Sequence, residues 1–265
     1  MIAICLAGAT GWTGRAVADG ILAADDLELR SAVARASAGN DLGDALGRAP
    51  LGVPVHGAVA DALDGVDVLI DFTAHVAALA HAHAALERGV DVVIGTSGLN
   101  GDDFAAIDAR AREHSAGAVA AGNFSLTAAM AQAGALLAAR HLPQWEVIDY
   151  ASAAKPDVPS GTARELAERM AAVRRPALGR PLDEIHGPVA ARGASVDGVQ
   201  IHSVRLPSFV VSTEVVFGLP DERLTIRHDA GGSPAPYVAG TLLAARAVRG
   251  RVGLTRGLDL LLAGD

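Results

Sequence analysis

Three glycines spaced three residues apart, Gly8, Gly11 and Gly14, lie between a short apolar run and an alanine-rich stretch. The run Ile2–Ala7 is typical of a buried parallel strand, and Thr13–Ala24 predicts a helix. Glycines in such a loop allow a tight turn and let the backbone approach a pyrophosphate at the helix N-terminus. The spacing is a variant of Gly-x-Gly-x-x-Gly, because an alanine holds the second position. It predicts a dinucleotide site, with a purely structural turn as the alternative.

Strand and helix patterns alternate up to about residue 125. The further segments that predict strands are Glu28–Val33, Val66–Phe72, Val90–Ile94 and Ala118–Ala121, and those that predict helices are Val76–Glu87 and Phe104–His114. This alternation is typical of βαβ units, which build a parallel sheet with helices on both faces. The sequence therefore predicts an α/β, Rossmann-like dinucleotide-binding domain over residues 1–125.

The pattern changes after Pro143. The segments that predict strands are Trp145–Tyr150, Val199–Val204, Val210–Phe217 and Leu224–His228, and one strong helix is predicted at Ala163–Val173. The segment Arg174–Gly198, rich in Arg, Pro and Gly, is expected to be a loop. This order favours an α+β domain with a mixed, mostly antiparallel sheet over residues 126–236. A final helix, Tyr237–Val248, is expected to return to the first domain, which then includes residues 237–265.

The end of the second predicted strand bears on the choice between NADH and NADPH. An acidic residue at that position would bind the ribose 2′-hydroxyl of NAD. The segment from Ser31 to Ser37 contains no acid, whereas Arg35 and Ser37 could contact a 2′-phosphate. The sequence therefore favours NADPH, with NADH as the alternative.

Small polar clusters follow three of the predicted strands. Ligands of open parallel sheets lie beyond the carboxyl ends of the strands, so these clusters are expected to line one crevice. Together with the glycine loop they make up the predicted cofactor site, which comprises Gly8, Thr10, Gly11, Trp12, Thr13, Gly14, Arg35, Ser37, Phe72, Thr73, Gly95, Thr96, Ser97, Asn123 and Phe124.

Lys155 is the only lysine in a chain with 22 basic residues. Arginine holds a charge but does not readily release a proton, so a single lysine is a candidate proton donor. Thr162 and the glutamate three residues later have capping-box spacing, which predicts a helix from Ala163. The backbone N–H groups of Ser160, Gly161 and Thr162 are then expected to bind a carboxylate or phosphate. A plain helix cap is the alternative.

Composition and charge exclude several other functions. The net charge of −8 argues against nucleic acid, and the apolar stretches are too short and interrupted to span a membrane. The N-terminus lacks the basic region of a signal peptide, and the single cysteine, Cys5, allows no intrachain disulfide. His75, His81 and His83 share one helical segment, but positions 81 and 83 face apart, so no metal site is expected. We expect a cytoplasmic protein with a small-molecule substrate.

The sequence resembles the dihydrodipicolinate reductases, also called 4-hydroxy-tetrahydrodipicolinate reductases, of lysine biosynthesis. The resemblance covers nearly the whole chain and rests on the glycine loop, Ile70–Thr73, Ile94–Gly98, Asn123–Ser125, Lys155–Ala163 and Glu222–His228. It implies a Rossmann domain, a second domain that binds substrate and builds a homotetramer, and NADH or NADPH as cofactor. It also implies hydride transfer to a carboxylated cyclic imine, with Lys155 acting on the substrate and Ser160, Gly161 and Thr162 holding a carboxylate.

The chain departs from the family motif just before this lysine. Family members carry histidines four and three residues before it, the first of them catalytic, whereas this chain has Ala151 and Ser152. Proton transfer would then fall to Lys155, to Ser152 through a water molecule, or to solvent. Two alternatives follow from the departure: a paralogue that reduces a different imine or carbonyl compound, and a non-catalytic dinucleotide-binding sensor.

Overall fold

Strand pairing divides the chain between two sheets. The structure, a computed structural model, describes residues 1–262, and this part of the chain contains twelve strands and eight α-helices. The strands are β1 (Ile2–Ala7), β2 (Leu27–Val33), β3 (Val55–His56), β4 (Val68–Asp71), β5 (Asp91–Ile94), β6 (Gly117–Ala120), β7 (Trp145–Ala151), β8 (Ala194–Val196), β9 (Val199–Arg205), β10 (Val211–Leu219), β11 (Glu222–Asp229) and β12 (Gly253–Arg256). The helices are α1 (Trp12–Leu22), α2 (Leu42–Ala45), α3 (His75–Leu86), α4 (Gly101–Glu113), α5 (Leu126–His141), α6 (Gly161–Val173), α7 (Ala235–Ala247) and α8 (Asp259–Leu262).

Seven parallel strands form the sheet of the first unit, which comprises residues 1–126 and the chain from Pro234 onward. The strand order is β12-β6-β5-β4-β1-β2-β3, and all neighbours pair in parallel. The carboxyl ends of β1 and β4 are in register, with Ala7 beside Asp71. Strands β2 and β3 extend the sheet on one side of β1. The chain then returns to the other side of β1, where β4, β5, β6 and β12 complete the sheet. Ligands of doubly wound sheets bind at such a reversal.

Small aliphatic side chains fill the core of this unit, since only 3% of the chain is aromatic. Helix α3 buries Ala78, Ala82 and Ala85 against it. Helices α1 and α7 also approach closely, because a Cβ on Gly20 would lie 2.3 Å from Val238. Close packing of small residues thus replaces the large aromatic contacts found in other cores.

The second unit, residues 127–233, contains a mixed five-stranded sheet in the order β11-β10-β7-β9-β8. Strands β7 and β9 pair in parallel, and the other neighbours are antiparallel. Side chains alternate along β7, so that Trp145, Val147 and Asp149 are buried on one face. Trp145 packs on Phe217 with ring centroids 5.8 Å apart, and Met170 of α6 joins the same core.

The predicted fold class is confirmed, and every predicted strand and helix is present with ends shifted by a few residues. The pattern misses α5, β3, β12 and the short helices. We expected the segment Arg174–Gly198 to be a loop throughout, but it contains β8. Asp197 and Gly198 adopt φ angles of 51° and 90°, which close a tight hairpin from β8 to β9. Within residues 1–262 no helix is both long and apolar enough to cross a membrane.

The burial of Cys5 leads to a test of the fold. Cys5 lies on β1 with no exposed surface, and burial raises the pKa of its thiol to about 11, opposed by a hydrogen bond with Ser31. At pH 8 only about 0.1% of such a thiol is thiolate, the reactive form. We expect no reaction with a disulfide reagent such as DTNB over an hour in the folded protein, and one thiol per chain in guanidinium. Rapid stoichiometric labelling of the folded protein would show that β1 is not buried as described.

Candidate active site

The glycine loop adopts a conformation that side chains would block. Gly8 has a φ of +82°, and a Cβ there would lie 2.6 Å from the carbonyl oxygen of Phe72. A Cβ on Gly14 would lie 2.0 Å from the carbonyl oxygen of Gly8, so the first turn of α1 packs directly on the loop. Gly11 precedes α1 and supplies no side-chain cap to it. The N-terminus of α1 therefore offers backbone N–H groups and a positive dipole end, which fits a pyrophosphate.

Three further residues of the loop take different positions. The carbonyl oxygen of Thr10 accepts a hydrogen bond of 2.9 Å from Nε of Arg15, a residue that was not predicted to belong to the site. Trp12 is 52% exposed, and its ring meets the edge of Tyr237 with centroids 6.0 Å apart. Thr13 is half-buried in the first turn of α1. An exposed aromatic ring at the start of α1 adds an apolar surface beside the predicted pyrophosphate position.

Arg35 and Ser37 lie directly beyond the end of β2, in a single 3₁₀ turn. The turn is close to the glycine loop, because the backbone N–H of Gly8 donates to the carbonyl oxygen of Val33 at 2.9 Å. Arg35 is exposed and Ser37 is half-buried. Arg35 and Ser37 therefore follow the strand end at which Rossmann domains bind the adenosine ribose.

A buried carboxylate joins the ends of β4 and β5. Asp71 is 1% exposed, and its Oδ1 accepts hydrogen bonds from the backbone N–H of Thr73 (2.7 Å), the hydroxyl of Thr73 (2.7 Å) and the hydroxyl of Thr96 (2.9 Å). Its Oδ2 lies 2.7 Å from Nδ1 of His81 on α3. Burial raises the pKa of Asp71, but the hydrogen bonds from His81 and Thr73 outweigh this effect and hold the pKa below its ordinary value. The carboxylate is thus ionised and fully hydrogen-bonded.

Aromatic rings and glycine backbone form the apolar part of the same crevice. The Phe72 ring lies so close to Gly95 that a Cβ there would be 2.1 Å from it, and it meets Phe124 edge-on at 5.8 Å between centroids. Oδ1 of Asn123 accepts from the backbone N–H of Ser125 at 2.8 Å. Ser97 is exposed beyond β5. The structure therefore brings the predicted residues of β4, β5 and β6 together at the carboxyl edge of one sheet.

The histidines of α3 have separate roles. His81 pairs with Asp71, His75 is exposed, and Nε2 of His83 is buried without a hydrogen-bond partner in the structure. Within the described part of the chain, no group of three or more His, Cys, Asp or Glu side chains is arranged to hold a metal ion.

Lys155 lies in the second unit, in the loop between β7 and α6. Its Nζ lies 2.9 Å from Oδ1 of Asp157, and both side chains are about one-quarter exposed. Its backbone N–H donates to the carbonyl oxygen of Ser152, and the Ser152 hydroxyl accepts from the backbone N–H of Ala154 at 3.3 Å. The lysine is therefore held in a local turn, with its ammonium group paired and still in contact with solvent.

The residue that caps α6 is Ser160, and the predicted capping box at Thr162 is wrong. Helix α6 begins at Gly161 rather than Ala163, and the hydroxyl of Ser160 accepts from the backbone N–H of Ala163 at 3.3 Å. The expectation that the Ser160 N–H is free for an anion is also wrong. It donates to Oδ2 of Asp149 at 2.9 Å, and the Ser160 hydroxyl donates to Oδ1 at 2.6 Å. Ser160 is thus fixed inside the protein.

Asp149 and Arg205 support this loop, and neither is predicted from the sequence. Asp149 has no exposed surface, and Arg205 lies 2.8 Å from its Oδ2. Arg205 also donates to the carbonyl oxygen of Asp157 at 2.8 Å, so it links β9 to the lysine loop. Ser203 adds a hydrogen bond of 3.1 Å to Asp149. The only signal in the sequence is that β7 and β9 each carry a charged residue, and the separation of 56 positions between Asp149 and Arg205 conceals the pairing.

Comparisons with known proteins agree with this geometry. Residues 2–124 match the family model described as dihydrodipicolinate reductase, N-terminus, and residues 122–261 match the one described as dihydrodipicolinate reductase, C-terminus. The chain is 40% identical over 264 residues to a 4-hydroxy-tetrahydrodipicolinate reductase from Moorella thermoacetica, covering 98% of both chains. It is 36% identical over 270 residues to the protein of the same name from Synechococcus elongatus, again covering 98% of both.

Solved structures extend the likeness to the fold. A dipicolinate-bound dihydrodipicolinate reductase from Paenisporosarcina sp. TG-14 superposes with a TM-score of 0.77 at 29% identity, over 98% of this chain and 99% of that one. An amine dehydrogenase from Mycobacterium smegmatis has a TM-score of 0.65 at 16% identity, over 97% and 95% of the two chains, which shows a shared fold alone. Taken with the two family models, these likenesses show that the chain belongs to the dihydrodipicolinate reductase family, whose members are NAD(P)H-dependent oxidoreductases.

Proposed function

We propose that the chain transfers hydride from NADPH to the C=N bond of a carboxylated cyclic imine, as a 4-hydroxy-tetrahydrodipicolinate reductase. The observation that carries the substrate assignment is the loop from Lys155 to Thr162, which combines one ammonium group with the N-terminus of a 13-residue helix. Full-length relatives that carry this enzyme name support the same assignment. NADH is the alternative cofactor.

The first unit, residues 1–125 with 237–265 in our prediction, is the dinucleotide-binding domain of this proposal. Gly8, Gly11 and Gly14 with Thr10, Trp12 and Thr13 would hold the pyrophosphate, and Arg35 and Ser37 the adenosine 2′-phosphate. The crevice residues would surround the nicotinamide, and they are Phe72, Thr73, Gly95, Thr96, Ser97, Asn123 and Phe124. The bound cofactor supplies the hydride, and the protein supplies its orientation and an apolar wall.

The second domain, residues 126–236, would bind the carboxylates of the substrate. Because the N–H of Ser160 donates to Asp149, Ser160 would support the anion site from behind, and Gly161 and Thr162 at the positive end of α6 would hold the carboxylate. The ammonium group of Lys155 would neutralise carboxylate charge in the same loop. Dipicolinate, the ligand of the Paenisporosarcina relative, has two carboxylates on a planar ring and suits such a site.

The chain has no histidine at positions 151 and 152 to protonate the imine nitrogen, so the proton comes from another residue or from solvent. Ala151 has no polar side chain, and Ser152 could carry a proton only through a water molecule. Lys155 carries a proton and is exposed enough to touch a ligand, so we propose that it acts as the general acid. The presence of Ala151 and Ser152 in place of the histidines of the family also favours a second candidate function, the reduction of a different imine or carbonyl compound.

We also propose that the chain forms a homotetramer in the cytoplasm through the second domain. The side chains of Ile148, Tyr150 and Val216 alternate with those of core residues, so they lie on the opposite face of the sheet. On that face they are only half-buried. Half-buried apolar side chains on a sheet face are available to be covered by other subunits. Sedimentation equilibrium of the purified protein would give four times the chain mass.

Lys155→Ala and Lys155→Arg together test the general-acid proposal. We expect Lys155→Ala to lower kcat/KM by about 10²–10⁴, because a positioned general acid contributes a factor of that size. Lys155→Arg keeps the charge, so its affinity for pyridine-2,6-dicarboxylate in calorimetry should stay within about 3-fold while kcat falls. The assay is NADPH oxidation with 4-hydroxy-tetrahydrodipicolinate and a panel of cyclic imines.

The outcomes separate the candidate functions. Turnover of another imine or carbonyl compound, but not of 4-hydroxy-tetrahydrodipicolinate, would select the paralogue. Tight NADPH binding with no turnover of any substrate, and no effect of Lys155→Ala, would select the sensor. Full activity of Lys155→Ala on 4-hydroxy-tetrahydrodipicolinate would support the proposed reaction but show that Lys155 is not its general acid.

Arg35→Ala tests the preference for NADPH. Loss of the arginine should weaken NADPH binding about 10-fold and leave NADH binding unchanged, since a hydrogen bond between charged groups contributes roughly 1.5 kcal/mol. Arg30→Ala is the matched control, because Arg30 lies on β2, pairs with Glu28 and is also exposed. Equal affinities of the wild type for the two cofactors in calorimetry would contradict the assignment.

A further inference from the structure

The buried carboxylate of Asp71 controls the protons of two crevice hydroxyls. Thr73 and Thr96 each donate to its Oδ1, at 2.7 Å and 2.9 Å. The other oxygens near the Thr96 hydroxyl are the carbonyl oxygens of Asp71 and Thr73, each at 3.3 Å, and they also only accept. A hydroxyl has one proton to donate and two lone pairs. With its proton directed at Asp71, each threonine offers only acceptor capacity to a ligand.

His81 fixes the orientation of this carboxylate from a different element. Its Nδ1 lies 2.7 Å from Oδ2 and 3.4 Å from the hydroxyl oxygen of Thr73. Because an ionised carboxylate cannot donate, Nδ1 must carry the proton of this hydrogen bond. The imidazole covers Oδ2 of Asp71 and is itself 21% exposed, so it keeps contact with solvent. Rotation of the carboxylate would break hydrogen bonds to both α3 and the loop after β4.

We propose that Asp71 and His81 are positioning residues that hold the Thr73 and Thr96 hydroxyls as hydrogen-bond acceptors for the NH₂ group of the nicotinamide carboxamide. The proposal rests on the proposed function, because it places the nicotinamide end of the cofactor beside these threonines. The carboxamide NH₂ is a donor with two protons, which matches two oxygens that can only accept. Neither Asp71 nor His81 would touch the cofactor, and their effect would pass through the threonines.

A purely structural role would have a different signature. The loss of a buried, hydrogen-bonded carboxylate weakens the fold and lowers the affinity for every ligand of the crevice by a similar factor. A positioning role instead affects the part of the ligand that contacts the threonines. The reduced 3-acetylpyridine analogue of NADPH makes this distinction, because a methyl group replaces the carboxamide NH₂ and the carbonyl remains.

The experiment measures the dissociation constants of NADPH and of this analogue by fluorescence titration. We expect the wild type to bind NADPH about 10-fold more tightly than the analogue, as the loss of one or two hydrogen bonds predicts. Asp71→Asn, Thr96→Val and His81→Phe should each reduce this ratio to within about 2-fold of one. Thr96→Ser keeps the hydroxyl and should restore the ratio.

Asp91→Asn is the matched control. Asp91 is a buried carboxylate at the other end of the same sheet, where it accepts from the backbone N–H of Gly117 and pairs with Arg249. This variant should weaken the fold without changing the ratio. If circular dichroism shows that Asp71→Asn is unfolded, the Thr96→Val and Thr96→Ser pair carries the test.

Each outcome has a separate meaning. A wild type that binds NADPH and the analogue equally, or an unchanged ratio in Asp71→Asn and Thr96→Val, overturns the positioning role and leaves the cofactor assignment standing. A wild type that binds neither compound overturns the proposed function and this inference with it.

Discussion

In each unit of the chain, a buried aspartate near the carboxyl end of a strand holds the loop that carries the candidate site. An ionised carboxylate in the protein interior costs several kcal/mol unless hydrogen-bond donors surround it. Asp71 takes its donors from Thr73, Thr96 and His81, and Asp149 takes them from Ser160, Ser203 and Arg205. These hydrogen bonds fix the loops after β4 and β7. A loop conformation that broke them would leave a buried carboxylate without donors.

The glycine loop works by a different constraint, which is steric. The first turn of α1 and the end of β4 both lie against Gly8, so neither Gly8 nor Gly14 can carry a side chain. The pyrophosphate position is then bounded by backbone alone, with the positive end of α1 facing it. Apolar rings of Phe72 and Phe124 continue the crevice across the sheet. One sheet edge thus combines an anion site, an apolar wall and hydroxyl groups, which together suit the parts of a nicotinamide dinucleotide.

The sequence could predict those features that depend on neighbours in the chain. The strand, loop and helix around Gly8–Gly14 depend on local spacing and hydrophobic pattern, and the structure has β1 at the predicted bounds. Helix α5 escapes prediction because alanines and other apolar residues surround it on every side, so that it has no distinct polar and apolar faces. Ser160 and Thr162 are both plausible caps from spacing. The choice between them depends on Asp149, which is eleven residues away on β7.

Hydrogen exchange of single amides tests the role of the two carboxylates most directly. Measured by NMR, the amide of Thr73 should exchange faster by about 10-fold or more in Asp71→Asn, while the amide of Ser160 keeps its wild-type rate, because each donates to a different carboxylate. Asp149→Asn should give the converse result. Unchanged rates in both variants, or equal acceleration of both amides in each, would contradict the view that each aspartate holds its own loop.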